Sequence, residues 1–333
     1  METDKRYPST SVYKKLPKTN DTKSDQLLIF IPGNPGLLDY YTTYLDLIQN
    51  QNPNLEILAI SQAGFQTTDD FEKDLDPFKF YDLEYQIKHK YEIVKDHVNE
   101  GRYDGRNIEL FFLAHSVGSY MVQRISKRLI DDESLNGKIT IKFIGLICPT
   151  IVDIGKSSSG QKFTKLFSIL PIQLLLFLIS VFRFFLPTVL ARMIIGHIII
   201  SKPVLDTKAA IESWENSKSA TFKLFLSNQI IRQAFTLAKE EIECIHKHED
   251  VNDWFFKNLS QTVKIWCFFA LTDHWVHDNT RDYILTNYHD RNNRNVDFQL
   301  GSIDNETGHA ITHSFCVDQS VEFAELTNSA LKW

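Results

Sequence analysis

The sequence has no run of basic residues and no cysteine–histidine spacing of the zinc-finger kind. The first absence argues against nucleic acid as a partner, and the second against a structural zinc site. Lys+Arg total 36 and Asp+Glu 42, with the two signs well mixed, for a formal charge of -6. Cysteine is scarce: Cys148, Cys244, Cys267 and Cys316 are scattered, and two lie in apolar strand-like runs. They read as reduced, mostly buried residues of a cytosolic protein. The opening Met1-Glu2-Thr3-Asp4-Lys5-Arg6 lacks the apolar core of a secretory signal. Residues 1–24 read as a polar tail, with a short edge strand at Ser11–Lys15. Also missing is an unbroken stretch of about 20 apolar residues, the length a membrane-spanning helix needs. The most apolar region, Leu166–Ser201, is cut by Pro171, Arg183, Pro187 and Arg192.

The chain's 333 residues suffice for one large α/β domain with an inserted subdomain. Leu27–Ile31, Leu55–Ile60, Ile108–Leu113, Ile139–Cys148 and Val263–Leu271 are nearly continuous apolar runs, the mark of strands covered on both faces. Between them, Leu37–Gln49, Leu83–Val98 and Val117–Ile130 repeat apolar residues at helical spacing. A helix near Thr280–Asn287, a strand at Val296–Leu300 and a last helix from about Thr312 complete the pattern. The alternation predicts an α/β-hydrolase-type fold: a mostly parallel, doubly covered sheet, built from 25–150 and 262–333. The region 151–261 reads as a helical, hydrophobic cap inserted into that core.

Phe111-Phe112-Leu113-Ala114-His115-Ser116-Val117-Gly118 carries the sharpest chemical signal. A strand-like run ends in small-x-Ser-x-small, and a helical run follows. This is the form of a nucleophile elbow, where the serine sits on a turn so tight that the residues two before and two after, Ala114 and Gly118, must be small. Acyl transfer by such a serine needs a base, an acid that orients the base, and an oxyanion hole. The expected chain order is nucleophile, acid, histidine. Asp273 follows the late strand-like run ending at Leu271 and is the expected acid; Asp278 looks like a helix cap instead. His309 lies after the last strand, behind Gly308, and is the expected base. His313 competes with it but falls inside the apparent last helix, and His115 is expected to pack beside the serine. Pro32-Gly33-Asn34-Pro35-Gly36 follows the first central strand, so the N–H groups of Asn34 and Val117 are the expected oxyanion donors. This chemistry calls for no metal and no organic cofactor.

Leu166–Ser201 reads as two short apolar helices bent at Phe184–Pro187. Lysines flank it on both sides: Lys156, Lys162 and Lys165 before, Lys202 and Lys208 after. Both ends are therefore expected on the cytosolic side, with the hairpin embedded in a lipid monolayer or membrane face and Arg183 and Arg192 reaching its headgroups. The alternative is a buried lid packed on the core.

Several stretches together also resemble a known family. They are Ile31-Pro32-Gly33-Asn34-Pro35-Gly36 with Tyr40-Tyr41, Ser61-Gln62-Ala63-Gly64, Leu83 to Lys90, Ala114 to Gly118, Pro149-Thr150-Ile151, and Asp273 with Trp275. The resemblance is to the lipid droplet-associated hydrolases, a branch of the α/β-hydrolases, and it covers most of the chain from about residue 27. Glycine at Ala114 and histidine at Gln62 would fit the family's usual form better, and neither departure removes a catalytic group. The resemblance implies association with lipid droplets and the cytosolic face of the endoplasmic reticulum through the hairpin. It also implies hydrolysis of neutral-lipid or other carboxylic esters, with the particular ester left open. Two other readings stand beside it: a weakly active or non-catalytic droplet coat or tether, and a soluble esterase whose apolar insertion is only a lid.

Overall fold

The computed structural model describes residues 2–3, 7, 9–18, 25–66, 79–100, 103, 105–304 and 307–332. Of the tail expected at 1–24, residues 1, 4–6, 8 and 19–24 lie outside them, and the edge strand expected at Ser11–Lys15 is present. Among the described residues eight strands form one sheet: β1 (Glu2–Thr3), β2 (Ser11–Lys15), β3 (Gln26–Ile31), β4 (Glu56–Ile60), β5 (Ile108–His115), β6 (Ile139–Ile147), β7 (Lys264–Phe269) and β8 (Val296–Leu300). Their order is β1-β2-β4-β3-β5-β6-β7-β8. The two pairings of β2 are antiparallel, and all pairings from β4 to β8 are parallel. Leu27 to Ile31 and Ile57 to Ile60 are fully buried. Such burial requires cover on both faces, which is why these strands read as unbroken apolar runs rather than alternating ones.

The cover comes from helices α1 (Thr42–Gln51), α2 (Leu83–Val98) and α3 (Val117–Asp131), with α12 (Ser320–Lys332) from the chain's end. α1 packs against α12, and α2 against α3. Between β6 and β7 lie α4 (Ser158–Ile169), α5 (Ile172–Phe185), α6 (Thr188–Ile194), which continues as a π-helical turn at Ile195–Ile199, α7 (Lys208–Leu226), α8 (Asn228–Cys244) and α9 (Glu249–Asp253). After β7 come α10 (Asp278–Tyr288) and the short α11 (Phe315–Asp318). Ser157, Thr207 and Ser227 cap α4, α7 and α8 by accepting from Gly160, Ala210 and Ile230 N–H. Asp278 is not the cap of α10: His277 holds that place, accepting from the Asn279 N–H, and Asp278 pairs with Arg281.

The apolar hairpin is built by its prolines. Pro171 and Pro187 stand just before α5 and α6, where a ring that donates no N–H ends one helix and starts the next. α4 and α5 meet at 93°. Among the described residues no single helix is long and apolar enough to cross a membrane. A helix break lies at Leu186–Pro187, inside the expected bend at Phe184–Pro187, whereas the 93° turn lies at the other end of α5; the hairpin is not a buried lid, since no side chain of α5 is buried. Phe177 is 62% exposed, Phe184 82%, Val189 71% and Ile198 77%. Of the two arginines, Arg183 is turned inward and Arg192 stays exposed. Arg183 donates to the carbonyls of Phe225 and Leu226 at the end of α7 (3.0 and 2.5 Å) and to Asn228 Oδ1 (2.9 Å). A cation there satisfies carbonyls that the helix end leaves open. Arg192 lies over the Phe222 ring, 4.1 Å from its centroid. Ile195 and Ile200 are buried with Trp214 and Phe222, so this end of the hairpin is fastened to α7.

One close approach fixes the turn between β5 and α3. A side chain at Gly118 would put Cβ 2.5 Å from the Ile31 carbonyl oxygen and 2.8 Å from that of Pro32. Both are backbone atoms that cannot rotate away. Gly118→Ala should therefore destabilise the fold by roughly 1–3 kcal/mol, the usual range for forced overpacking. The check is the urea midpoint at unchanged m-value; a midpoint equal to the wild type's would show that the strand can shift without penalty.

Candidate active site

Ser116 stands between β5 and α3 with φ 54° and ψ −123°, a conformation an L-residue adopts only when its surroundings impose it. Its N–H donates to the Ile147 carbonyl (2.9 Å), which ties the strained residue to β6. The N–H of Val117 opens α3 and is one of the donors a helix start leaves without an intrahelical partner. The β3–α1 loop passes against the serine: a Cβ on Gly33 would lie 3.0 Å from Ser116 Cβ. The neighbouring Asn34 N–H makes no backbone hydrogen bond among the described residues.

Asp273 follows β7, as its place in the sequence suggested. Its Oδ1 accepts from the N–H groups of Trp275 (2.7 Å) and Val276 (3.0 Å). Its Oδ2 meets His313 Nδ1 at 2.8 Å. Burial pushes this carboxyl up, but His313 and the two backbone donors outweigh it and hold the group below the ordinary carboxylate range. On its other side, His313 Nε2 lies 3.0 Å from Ser116 Oγ.

The histidine brought to Ser116 is thus His313, and not His309. Gly308 does adopt the left-handed turn expected of it (φ 70°). That turn closes a small hairpin in which Ile303 bridges Ala310, and it leaves His309 exposed at the rim, bonded through its carbonyl to the Asp304 N–H. The expected last helix does not begin at Thr312. Gln319 Oε1 accepts from the Thr312 N–H and hydroxyl, and its Nε2 donates to the Ala310 carbonyl. These bonds hold 310–312 outside the helix, so that α11 starts only at Phe315 and His313 stays in the loop, free to face the serine.

Two further residues, His115 and Tyr41, hold the segment that carries His313. His115 Nε2 donates to the His313 carbonyl (2.9 Å), so its Nδ1 is the acceptor for the Tyr41 hydroxyl (2.8 Å). Burial, with some repulsion from His313, lowers the His115 pKa to about 3 and keeps the ring neutral. The expectation that His115 packs beside the serine describes its location, and its ring also anchors the loop that carries His313. Trp275, just past Asp273, stacks on Phe163 of α4, and the His274 carbonyl accepts from the Ser159 N–H. The cap thereby braces the acid loop. Cys148 Sγ lies with Asp273 and His313 in the one cluster of potential metal-ligating atoms found among the described residues. The imidazole nitrogen and the carboxylate oxygen there are already hydrogen-bonded to each other, and burial pushes the Cys148 thiol well up, keeping it protonated.

Above Ser116 opens a cavity of about 370 Å³, walled mostly by apolar groups including Leu224, Ala238, Ile199, Ile200 and Val317. Ile199 and Ile200 belong to the end of the apolar hairpin, so the hairpin forms part of the cavity's rim.

The sheet order, with a serine raised at the β5–α3 turn, defines this molecule as an α/β-hydrolase. Solved structures agree on the fold: a hydrolase from Oleispira antarctica (TM-score 0.54, 12% identity, 98% of this chain and 96% of that one) and a carboxylesterase study's structure from Nitrososphaera gargenis (TM-score 0.52, 10% identity, 97% and 94%). A family model described as lipid-droplet associated hydrolase matches residues 24–316, and the chain belongs to that family. Among its relatives is the lipid droplet-associated hydrolase of Gallus gallus, 24% identical over 333 residues, covering 96% of this chain and 89% of that protein. Its Mus musculus namesake is 27% identical over 165 residues, 46% of each chain, so that match spans about half of the mouse protein.

The geometry yields a direct discrimination between the two histidines. His313→Ala should slow labelling of Ser116 by a fluorophosphonate by about 10³-fold or more, the scale of losing a general base in such a unit. His309→Ala should leave the labelling rate within about twofold, as for a surface residue outside the hydrogen-bonded chain. The reverse pattern would return the role to His309.

Proposed function

We propose that this protein is a serine ester hydrolase acting on lipid esters at a lipid surface, with Ser116, His313 and Asp273 as its triad. The observation that carries the reading is the unbroken hydrogen-bonded chain Ser116–His313–Asp273 at the base of an apolar cavity. Ser116 Oγ attacks the ester carbonyl carbon while His313 Nε2 takes the hydroxyl proton. Asp273 holds the imidazole by Nδ1 and stabilises the imidazolium that forms. The oxyanion is received by the N–H groups of Asn34 and Val117, each worth about 3 kcal/mol at the transition state in comparable sites. His313 then protonates the departing alkoxide, and water, deprotonated by the same ring, releases the acid from the acyl-enzyme. No step draws on a metal or an organic cofactor.

Lipid-surface docking is supported by the exposed side chains of the hairpin and by its share in the cavity rim. Phe177, Phe182, Phe184, Phe185, Val189 and Met193 are all exposed on two consecutive helices, whereas a soluble surface usually scatters such side chains singly. Burying each such side chain in lipid gains roughly 1.5–3 kcal/mol. An ester dissolved in oil could then pass from the surface to Ser116 along Ile199 and Ile200. The droplet and the cytosolic face of the endoplasmic reticulum are the surfaces this reading assigns.

On emulsified esters, Ser116→Ala should lower turnover by about 10³-fold or more while leaving the urea midpoint unchanged. Asp273→Asn should lower it far more than Asp278→Asn, because an amide favours the wrong imidazole tautomer. A wild-type protein that neither cleaves the esters nor reacts with a fluorophosphonate, yet coats droplets, would favour the coat or tether reading. For docking, Phe177→Glu, Phe184→Glu and Val189→Glu together should release the protein from oil droplets in a flotation assay and leave fluorophosphonate labelling in solution intact. Retention at wild-type levels would reduce the hairpin to a lid. Ile195 is unsuitable for this test, since it is buried against α7.

A further inference from the structure

One carboxyl group lies in the wall of the largely apolar cavity over Ser116. Glu241, on α8, is only 4% exposed. Its one hydrogen bond among the described residues is at Oε1, which accepts from Asn34 Nδ2 at 2.9 Å. The same Nδ2 donates to the Ala234 carbonyl at 3.0 Å. A backbone carbonyl can only accept, so the Asn34 amide is fixed with its nitrogen toward Glu241, and Oε1 is committed as an acceptor. Oε2 accepts no hydrogen bond among the described residues, and the residue lines the cavity.

Burial pushes the Glu241 carboxyl up to about 8, the Asn34 bond opposing the rise and the Glu240 charge adding to it. The group is therefore predominantly protonated at neutral pH. With Oε1 occupied as an acceptor, the proton is carried by Oε2, on a residue that lines the cavity. Of the other polar groups of the wall outside the Ser116–His313 site, the Tyr40 and Thr221 hydroxyls bond each other at 2.8 Å, and Ser314 and Trp275 add a hydroxyl and an indole N–H. No step of the triad chemistry uses Glu241.

A donor held in an apolar space is costly until a partner arrives. The scissile carbonyl oxygen already has its two donors in the reading above. The Glu241 hydroxyl therefore calls for a second oxygen on the substrate. We infer that Glu241 is a substrate-contact residue that donates to this second oxygen, and that the cavity consequently selects acylglycerols over esters of hydrocarbon alcohols, sterols included. Acylglycerols carry further ester or hydroxyl oxygens next to the scissile group, whereas a sterol ester carries none. The inference rests on the ester-hydrolase reading of the same cavity.

The test compares kcat/KM on monooleoylglycerol and on hexyl oleate, presented in the same mixed micelles, for the wild type, Glu241→Gln and Glu241→Met. The wild type should prefer the glycerol ester by about tenfold, the scale of one buried hydrogen bond to substrate. Glu241→Met should bring the ratio close to one. Glu241→Gln should keep the wild-type ratio, since its Oε1 can still accept from Asn34 while Nε2 donates into the cavity. The fluorophosphonate labelling rate of each variant reports whether Ser116 is still assembled. If Glu241→Met weakens both esters equally, the residue only holds Asn34 and the inference falls. The same follows if the wild type cleaves both esters without preference, or if Glu241→Gln loses the preference. A wild type that cleaves neither ester overturns the hydrolase reading itself, and the inference with it.

Discussion

The structure depends on the approach of the β5–α3 turn to the end of β3. β3 and β5 are parallel neighbours, with Ile31 in register with Ala114. α3 can start directly after Ser116 only if its first turn rests on the carbonyls of Ile31 and Pro32, which a side chain at position 118 would strike. That contact leaves no room for an ordinary strand end, so Ser116 takes its left-handed conformation, at a cost on the order of 1–3 kcal/mol. The strain is held by backbone bonds from β6 and by the packing of α3 on the sheet. What it provides is a hydroxyl lifted off the sheet and a helix start aimed at the same point.

Around that point, the buried groups are arranged to stay neutral. Burial holds His115 deprotonated and keeps the Tyr41 hydroxyl and the Cys148 and Cys316 thiols protonated. The Asp273 carboxylate is the exception, and its charge is spread over one ring N–H and two backbone N–H groups. In a poorly screened interior a single negative charge at 2.8 Å dominates the field on His313. The neutral Tyr41–His115 pair can then serve as a mechanical strut for the His313 carbonyl without competing for its proton.

How much of this the sequence displayed follows from the range of each interaction. Strands buried on both faces and helices with an apolar stripe announce themselves, and Leu83–Val98 and Val296–Leu300 match their expected bounds residue for residue. The elbow serine and Asp273 were legible because small residues and strand ends are local features. The histidine was not. Thr312 to Phe315 has the composition of a helix start, and Gln319, reaching back to Ala310 and Thr312, keeps it unwound together with His115, which donates to the His313 carbonyl. Arg183 likewise gave no local sign that α7 would take it, since its partners are carbonyls 42 and 43 residues away. Glu241 stands in a run of helical charges, Lys239-Glu240-Glu241, with nothing in its neighbours to mark it. Its separation from Glu240 arises only when Asn34, 207 residues earlier, folds against α8.

The cap helices join these levels. α5 packs along α8, and Arg183 fastens its end to the junction of α7 and α8. On their inner side the same two helices bring Thr221, Leu224, Ala238 and Glu241 to the cavity. The outer apolar surface and the inner cavity wall are thus two sides of one helical layer. Under the proposed reading, whatever orients the hairpin on a lipid surface also orients the cavity that receives the lipid. Asn34 extends the connection to the β3–α1 loop, because its side chain is held by α8 while the neighbouring Gly33 lies against Ser116. A cap that only shielded the serine would not need to hold that loop. Here the cap supplies ties that fix it, so under the proposed reading the region facing the lipid and the region stabilising the oxyanion are parts of one assembly.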